Sequence, residues 1–254
     1  MTLRALIFDV DGTLADTERD GHRVAFNAAF AVAGLDWSWD EKTYGELLQV
    51  AGGVERMVHY ARVYREAAQS DEELQTLVHQ VHARKTRHYV QCVNRGAVQL
   101  RPGVARLIAQ AREQGLQLAI ATTTTRENVT ALLRVALGGD AMDWFSAVGT
   151  AQEVAAKKPD PAVYLWVLDR LKIRPSDALA IEDSGNGLLA ARRAGLSCIV
   201  TPTSYSADDD FTEAAAQLSD LDHHPERLGE PVTLDDLRFW HLRAGRNLSG
   251  LSVR

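Results

Sequence analysis

Short apolar runs that stop abruptly at polar clusters recur along the chain, at 5–8, 116–121, 145–150, 178–181 and 197–201. Each is too short for a helix. Without alternation they read as strands buried on both faces, the condition of inner strands in a parallel sheet. Between them the spacing changes to the helical period. Positions 102–114 carry Leu107, Ile108 and Ala111 on one face, with Pro102 suited to the first helical position and Gly115 ending the helix. Positions 126–137 stop at Gly138-Gly139, positions 161–171 turn Val163, Trp166, Val167 and Leu171 inward, and positions 186–194 close at Gly195. Alternation of this kind predicts an α/β fold: a right-handed, doubly covered parallel sheet of Rossmann-like type.

Residues 15–97 break that alternation and read as wholly helical. Positions 16–34 place Ala25, Ala29 and Val32 on a stripe with Gly34 as C-cap, and Gly52-Gly53 opens a segment over 54–68. Ser70 followed by Glu73 is a capping box, starting a helix that runs towards Tyr89. The expected organisation is therefore a core domain of 1–14 and 98–254, with an inserted helical cap domain of 15–97 over the strand ends. Thr233 and Asp236 start a last helix through Leu242, and 248–254 reads as a frayed tail.

At 254 residues, with 46% hydrophobic and 24% charged positions, the chain can bury a sizeable core. Its net charge of −6 gives no reason to expect nucleic acid or an anionic membrane as partner. Two cysteines imply no disulfide framework, and no apolar run reaches membrane-spanning length, so a cytoplasmic location is expected; the chain is expected to act as a monomer. An acidic protein that handled phosphate would need local positive charge or a metal ion.

The polar ends of the runs carry that chemistry. Asp9 and Asp11 follow the first strand, and residues two apart in extended backbone point the same way. Glu182 and Asp183 repeat the logic after 178–181, before the turn Ser184-Gly185. Like charges about 4 Å apart near a surface repel by roughly 4 kcal/mol, a cost that a hard divalent cation offsets. Helix capping by Asp9 or Asp183 is the alternative. Thr122 ends another strand and could bond a phosphate oxygen. Lys158 precedes Pro159, which keeps it out of a helix and in a loop. As a compact charge it could serve a phosphate, with Lys157 as fallback.

Asp9-Val10-Asp11-Gly12-Thr13 resembles the first motif of the haloacid dehalogenase superfamily of phosphatases and phosphomutases. Thr122, Lys158 and Glu182-Asp183 resemble its second, third and fourth motifs. The resemblance implies that Asp9 attacks phosphorus and Asp11 is the acid/base, with a raised pKa. It implies Mg²⁺ bound by Asp9, Asp11, Asp183 and, directly or at one remove, Glu182. The cap resembles those of β-phosphoglucomutase, phosphoglycolate phosphatase and CbbY-type proteins. Glu18, His22, Gly52, Gly53, Arg56 and Lys85 would bind substrate there, joined from the core by Thr123, Thr124 and Arg126. Arg56 would suit a second phosphate, while Lys85 and Glu18 would read sugar hydroxyls. The Gly52-Gly53 loop and the 122–125 threonine run resemble the CbbY-type group, which implies hydrolysis of xylulose 1,5-bisphosphate, an inhibitor of Rubisco. The spacing of His22 from Asp16 favours a phosphatase over a mutase. Phosphoglycolate phosphatase and a catalytically silent binding protein are the alternatives.

Overall fold

The computed structural model describes residues 2–65 and 70–250. Six parallel strands form one sheet in the order β3-β2-β1-β4-β5-β6: β1 Ala5–Phe8, β2 Gln117–Ala121, β3 Phe145–Gly149, β4 Ala178–Glu182, β5 Ser197–Val200 and β6 Ala216–Gln217. Alternate side chains divide between two cores. Leu6, Phe8, Leu118, Ile120, Leu179 and Ile181 face one, and Ala5, Ile7, Ala119, Ala121 and Ala180 the other. Helices α5 (Val104–Glu113), α6 (Arg126–Leu137), α7 (Ala162–Leu171), α8 (Gly185–Arg193) and α9 (Leu234–Gly250) follow or precede the strands. Register does the rest. Phe8 pairs with Ile120 on one side and Ile181 on the other, so Asp9 lies level with Ala121 and Glu182.

Between β1 and β2 come a wide helical turn at Glu18–Arg23 and the helices α1 (Val24–Val32), α2 (Glu41–Leu47), α3 (Gly53–Val63) and α4 (Asp71–Asn94). They enclose a third core of their own, rich in aromatic rings: Phe26, Phe30, Trp37, Trp39, Tyr44 and Tyr60 pack around Met57 and Val78. Ser70 and Glu73 make the reciprocal capping bonds, 3.3 and 3.0 Å, at the start of α4.

Several sequence expectations shift. The buried stripe of α1 is Ala25, Phe26, Ala29 and Phe30, while Val32 is 60% exposed, because the aromatic core draws the bulkier neighbours inward. The helix expected over 54–68 ends at Val63, and 66–68 lie outside the described residues. Pro102 does not open α5. It sits in a turn, and Gly103 (φ +80°) stands between it and the helix, where a Cβ would lie 2.5 Å from the Leu221 carbonyl carbon. The last helix does start at the Thr233–Asp236 cap but continues past Leu242 to Gly250; residues 251–254 of the expected tail lie outside the described residues. The short edge strand β6 was not foreseen, since two residues carry no period.

Candidate active site

The site is the cleft between strand ends and cap, a cavity of about 410 Å³ whose wall includes Asp9, Asp11, Thr122, Thr123, Lys158, Glu182 and Asp183 from the core and Glu18, Gly52 and Arg56 from the cap. At its floor Lys158 Nζ donates to Asp9 Oδ1 and to Glu182 Oε1, each at 2.6 Å, and to the Ala121 carbonyl at 2.8 Å. Tyr164, buried on α7, donates its hydroxyl to the same Glu182 oxygen. One ammonium thus serves two carboxylates, and Asp183 is a third. Oxygen atoms of Asp9, Glu182 and Asp183 lie within 4.8 Å of one another.

Burial and that shortfall of positive charge together set the electrostatics. Burial pushes the Asp9 carboxyl up to about 8, against the pull of Lys158 and with help from Glu182 and Asp11. Burial, then Asp9 and Glu182, push Asp183 well above the usual carboxylate range. Burial opposes the charge on Lys158, but Asp9 and Glu182 hold its ammonium above the ordinary lysine range. Asp9 and Asp183, whose proton affinity is raised by burial and then by neighbouring carboxylates, lie with Glu182 in a set that offers only oxygen, which fits a hard divalent cation such as Mg²⁺. The backbone makes room for Asp183: Gly12 has φ +87°, and a Cβ there would fall 2.2 Å from Asp183 Oδ2.

Asp11 behaves differently from its expectation. The extended backbone ends at Phe8 and the chain turns at Gly12; Asp11 lines the same cavity as Asp9, but its carboxylate stands outside the acidic trio. It accepts from Thr17 Oγ1 at 2.6 Å and meets His22 Nε2 at 2.9 Å. Lys85 Nζ lies 2.8 Å from His22 Nδ1. An ammonium can only donate, so Nδ1 accepts and Nε2 carries the hydrogen directed at Asp11. Burial raises the proton affinity of Asp11, yet His22, Thr17 and Lys85 together hold it well below the usual range. The raised pKa expected for this acid is therefore reversed in this arrangement.

The cap residues also sort themselves. Arg56 is buried; its Nε donates to the Leu47 carbonyl at 3.1 Å and one terminal nitrogen to the Tyr44 hydroxyl at 3.0 Å, while Tyr44 donates to Glu18. Lys85 is buried against Phe26 and Tyr89, where burial lowers it to about 8, and it supports His22 instead of reading a sugar hydroxyl. His22 stacks on Tyr89 and reaches Asp11 from behind; neither it nor Lys85 lines the cavity. Gly53 is the first residue of α3 and faces His82, away from the cavity. Lys157 is engaged by Glu55 on the cap, at 2.5 Å.

On the core side Thr122 Oγ1 accepts from the Thr124 N–H at 3.2 Å. Thr124 itself is tied to Asn128 at 3.0 Å, and Arg126 turns to the Val148 carbonyl and Glu153, so these two do not reach the cavity. Reading of the sequence missed Thr17, Tyr44 and Tyr164. For Tyr164 a signal existed: it shares the inward face of α7 with Val163 and Val167, and a buried tyrosine hydroxyl needs a partner.

A model of the haloacid dehalogenase-like hydrolase family matches residues 3–195. The chain is similar to the CbbY protein of Cupriavidus necator, 51% identical over 247 residues that cover 94% of this chain and 97% of the relative. It is similar to the crystal structure of CbbY from Rhodobacter sphaeroides in complex with phosphate, at 42% identity and a TM-score of 0.80, covering 86% of this chain and 95% of that one. An Asp-to-Asn variant of that protein, crystallised with xylulose 1,5-bisphosphate, matches with a TM-score of 0.79 at 42% identity over the same shares of the two chains.

Proposed function

The chain belongs to the haloacid dehalogenase-like hydrolase family and is a phosphatase, and from that premise we propose that it hydrolyses xylulose 1,5-bisphosphate to xylulose 5-phosphate and phosphate, removing an inhibitor of Rubisco. The observation that carries the proposal is the two-ended cavity. Phosphate-handling groups, Asp9, Lys158 and Thr122, form its floor, and a buried guanidinium, Arg56, stands in its cap wall. A monophosphate with no second anionic group, such as glucose 1-phosphate, would leave Arg56 without an anion, and a buried unpaired charge is costly. The relative crystallised with this bisphosphate supports the same reading.

In the proposed mechanism Asp9 attacks the phosphorus of one phosphate and forms an aspartyl-phosphate, which water then hydrolyses. Lys158 holds Asp9 in place and, with Thr122, neutralises the transferring oxygens. Asp9 and Asp183 would hold Mg²⁺; Glu182, whose Oε1 accepts from both Lys158 and Tyr164, anchors the lysine and completes the set. Bound there, the ion supplies further positive charge to the phosphoryl group. Asp11 delivers a proton to the leaving oxygen and takes one from water. Leaving Thr17 and His22 to meet that oxygen strips it of the contacts that depress its proton affinity, so it gains its proton as it moves into place.

Phosphate release measured with Mg²⁺ on xylulose 1,5-bisphosphate, ribulose 1,5-bisphosphate, glucose 1-phosphate and phosphoglycolate tests the reading. Xylulose 1,5-bisphosphate should exceed each of the others by at least about tenfold in kcat/KM. Interconversion of glucose phosphates, or faster release from phosphoglycolate, would refute it. No release from any of these substrates, nor from p-nitrophenyl phosphate, would make the chain a silent binder.

A further inference from the structure

We infer that Tyr205, a residue of the core, is a positioning residue for substrate recognition by the cap: its ring buttresses Tyr44, and through Tyr44 it sets Glu18 and Arg56. The inference rests on the sugar-bisphosphate reading above. The segment that follows β5 is fastened to the metal side of the site. Ser206 Oγ donates to the Asp183 carbonyl at 2.7 Å, and Asp209 Oδ2 accepts from the Gly185 N–H at 2.7 Å. Immediately before Ser206 a tight turn presents Tyr205, with Thr203 N–H donating to Ser206 Oγ at 3.0 Å and Tyr205 N–H to Thr203 Oγ1 at 3.2 Å. A ring on this turn has its backbone bolted to the residues beside the acids.

That ring leaves the core and packs against the aromatic cluster of the cap. Its centroid lies 5.9 Å from that of Tyr44, edge-on at 73°, a favourable aromatic geometry. The adjacent Gly45 leaves just enough space: a Cβ there would meet Tyr205 Cδ1 at 3.1 Å. Tyr44 in turn donates to Glu18 and accepts from Arg56. A continuous path of contacts therefore runs from the Asp183 backbone through Ser206, Tyr205 and Tyr44 to Arg56. The Tyr205 hydroxyl, though buried, makes no hydrogen bond among the described residues, so the ring carries the effect. Rigid contact of this kind lets the end of the cavity that makes or breaks the phosphate bond keep a set distance from the end that reads the rest of the sugar.

Steady-state kinetics of Tyr205→Ala, Tyr205→Phe and Gly45→Ala on xylulose 1,5-bisphosphate and on p-nitrophenyl phosphate, which engages only the floor of the cavity, test the inference. Tyr205→Ala should raise KM for the bisphosphate about tenfold, with a much smaller change in kcat and a smaller loss on p-nitrophenyl phosphate. Tyr205→Phe should behave as the parent. Gly45→Ala perturbs the same contact from the cap side. Alanine is the better helix former, so the variant should melt no lower than the parent and yet raise KM in the same way. Equal losses on the two substrates would mean general damage and overturn the inference. So would a Tyr205→Phe variant as impaired as Tyr205→Ala, which would make the hydroxyl a substrate contact, or an unchanged KM in both alanine variants. A parent enzyme that fails on xylulose 1,5-bisphosphate overturns the functional reading instead, and the same comparison is then made on the sugar phosphate of the panel that it hydrolyses fastest.

Discussion

Metal-free protein should lose stability as pH rises from 6.5 to 8, and Mg²⁺ should abolish the loss. The perturbation is the ionisation of Asp9. Its folded pKa of about 8 lies above its ordinary value of 3.8, so between those values the folded state holds a proton that the unfolded chain has released. Stability then falls with rising pH, by about 1.4 kcal/mol per pH unit for one proton. Other groups decide where this is visible. His82, lowered by burial to about 4 from 6.5, makes stability rise with pH up to 6.5, and Lys85, lowered to about 8 from 10.5, makes it rise above 8. The window between them belongs to Asp9 and to Asp183, which shifts the same way. Across it Asp9 alone should cost about 2 kcal/mol. A divalent cation takes only ionised carboxylates, so its stabilisation should grow over the same interval. Urea unfolding followed by tryptophan fluorescence, at several pH values with chelator and with saturating Mg²⁺, measures both curves. A metal-free stability that is flat or rising between pH 6.5 and 8, or an Mg²⁺ effect no larger at pH 8 than at 6.5, would refute the account of the acidic trio.

Asp9→Asn should abolish phosphate release with an unaltered circular dichroism spectrum, and Asp11→Asn should lower kcat by about 10²–10⁴. Lys158→Met leaves Asp9 and Glu182 buried without their shared donor and should destabilise the metal-free fold by about 3–5 kcal/mol at pH 8, read from urea midpoints. Gly187→Ala should destabilise by about 1–3 kcal/mol, the reverse of the usual helix preference. The reason is local: the new Cβ would lie 1.9 Å from Glu182 Oε2, and Lys158 and Tyr164 hold that carboxylate in place.

The local code of this chain was legible in the sequence wherever a residue's role depends on its own strand or helix. Apolar runs ending in Asp9, Thr122 and Glu182-Asp183 specified where β1, β2 and β4 stop, and parallel register then carried those ends to one edge. Capping chemistry located the starts of α4 and α9 because Ser70–Glu73 and Thr233–Asp236 act over three residues. Contacts between distant segments were not legible. Whether Asp11 faces the acids or the cap depends on Thr17 and His22, and whether Lys85 meets substrate depends on the rings of Phe26 and Tyr89. Arg126 is claimed by Glu153, and Tyr205 crosses from core to cap. A side chain's neighbours across the fold are set by the packing of whole elements, and no local period records them.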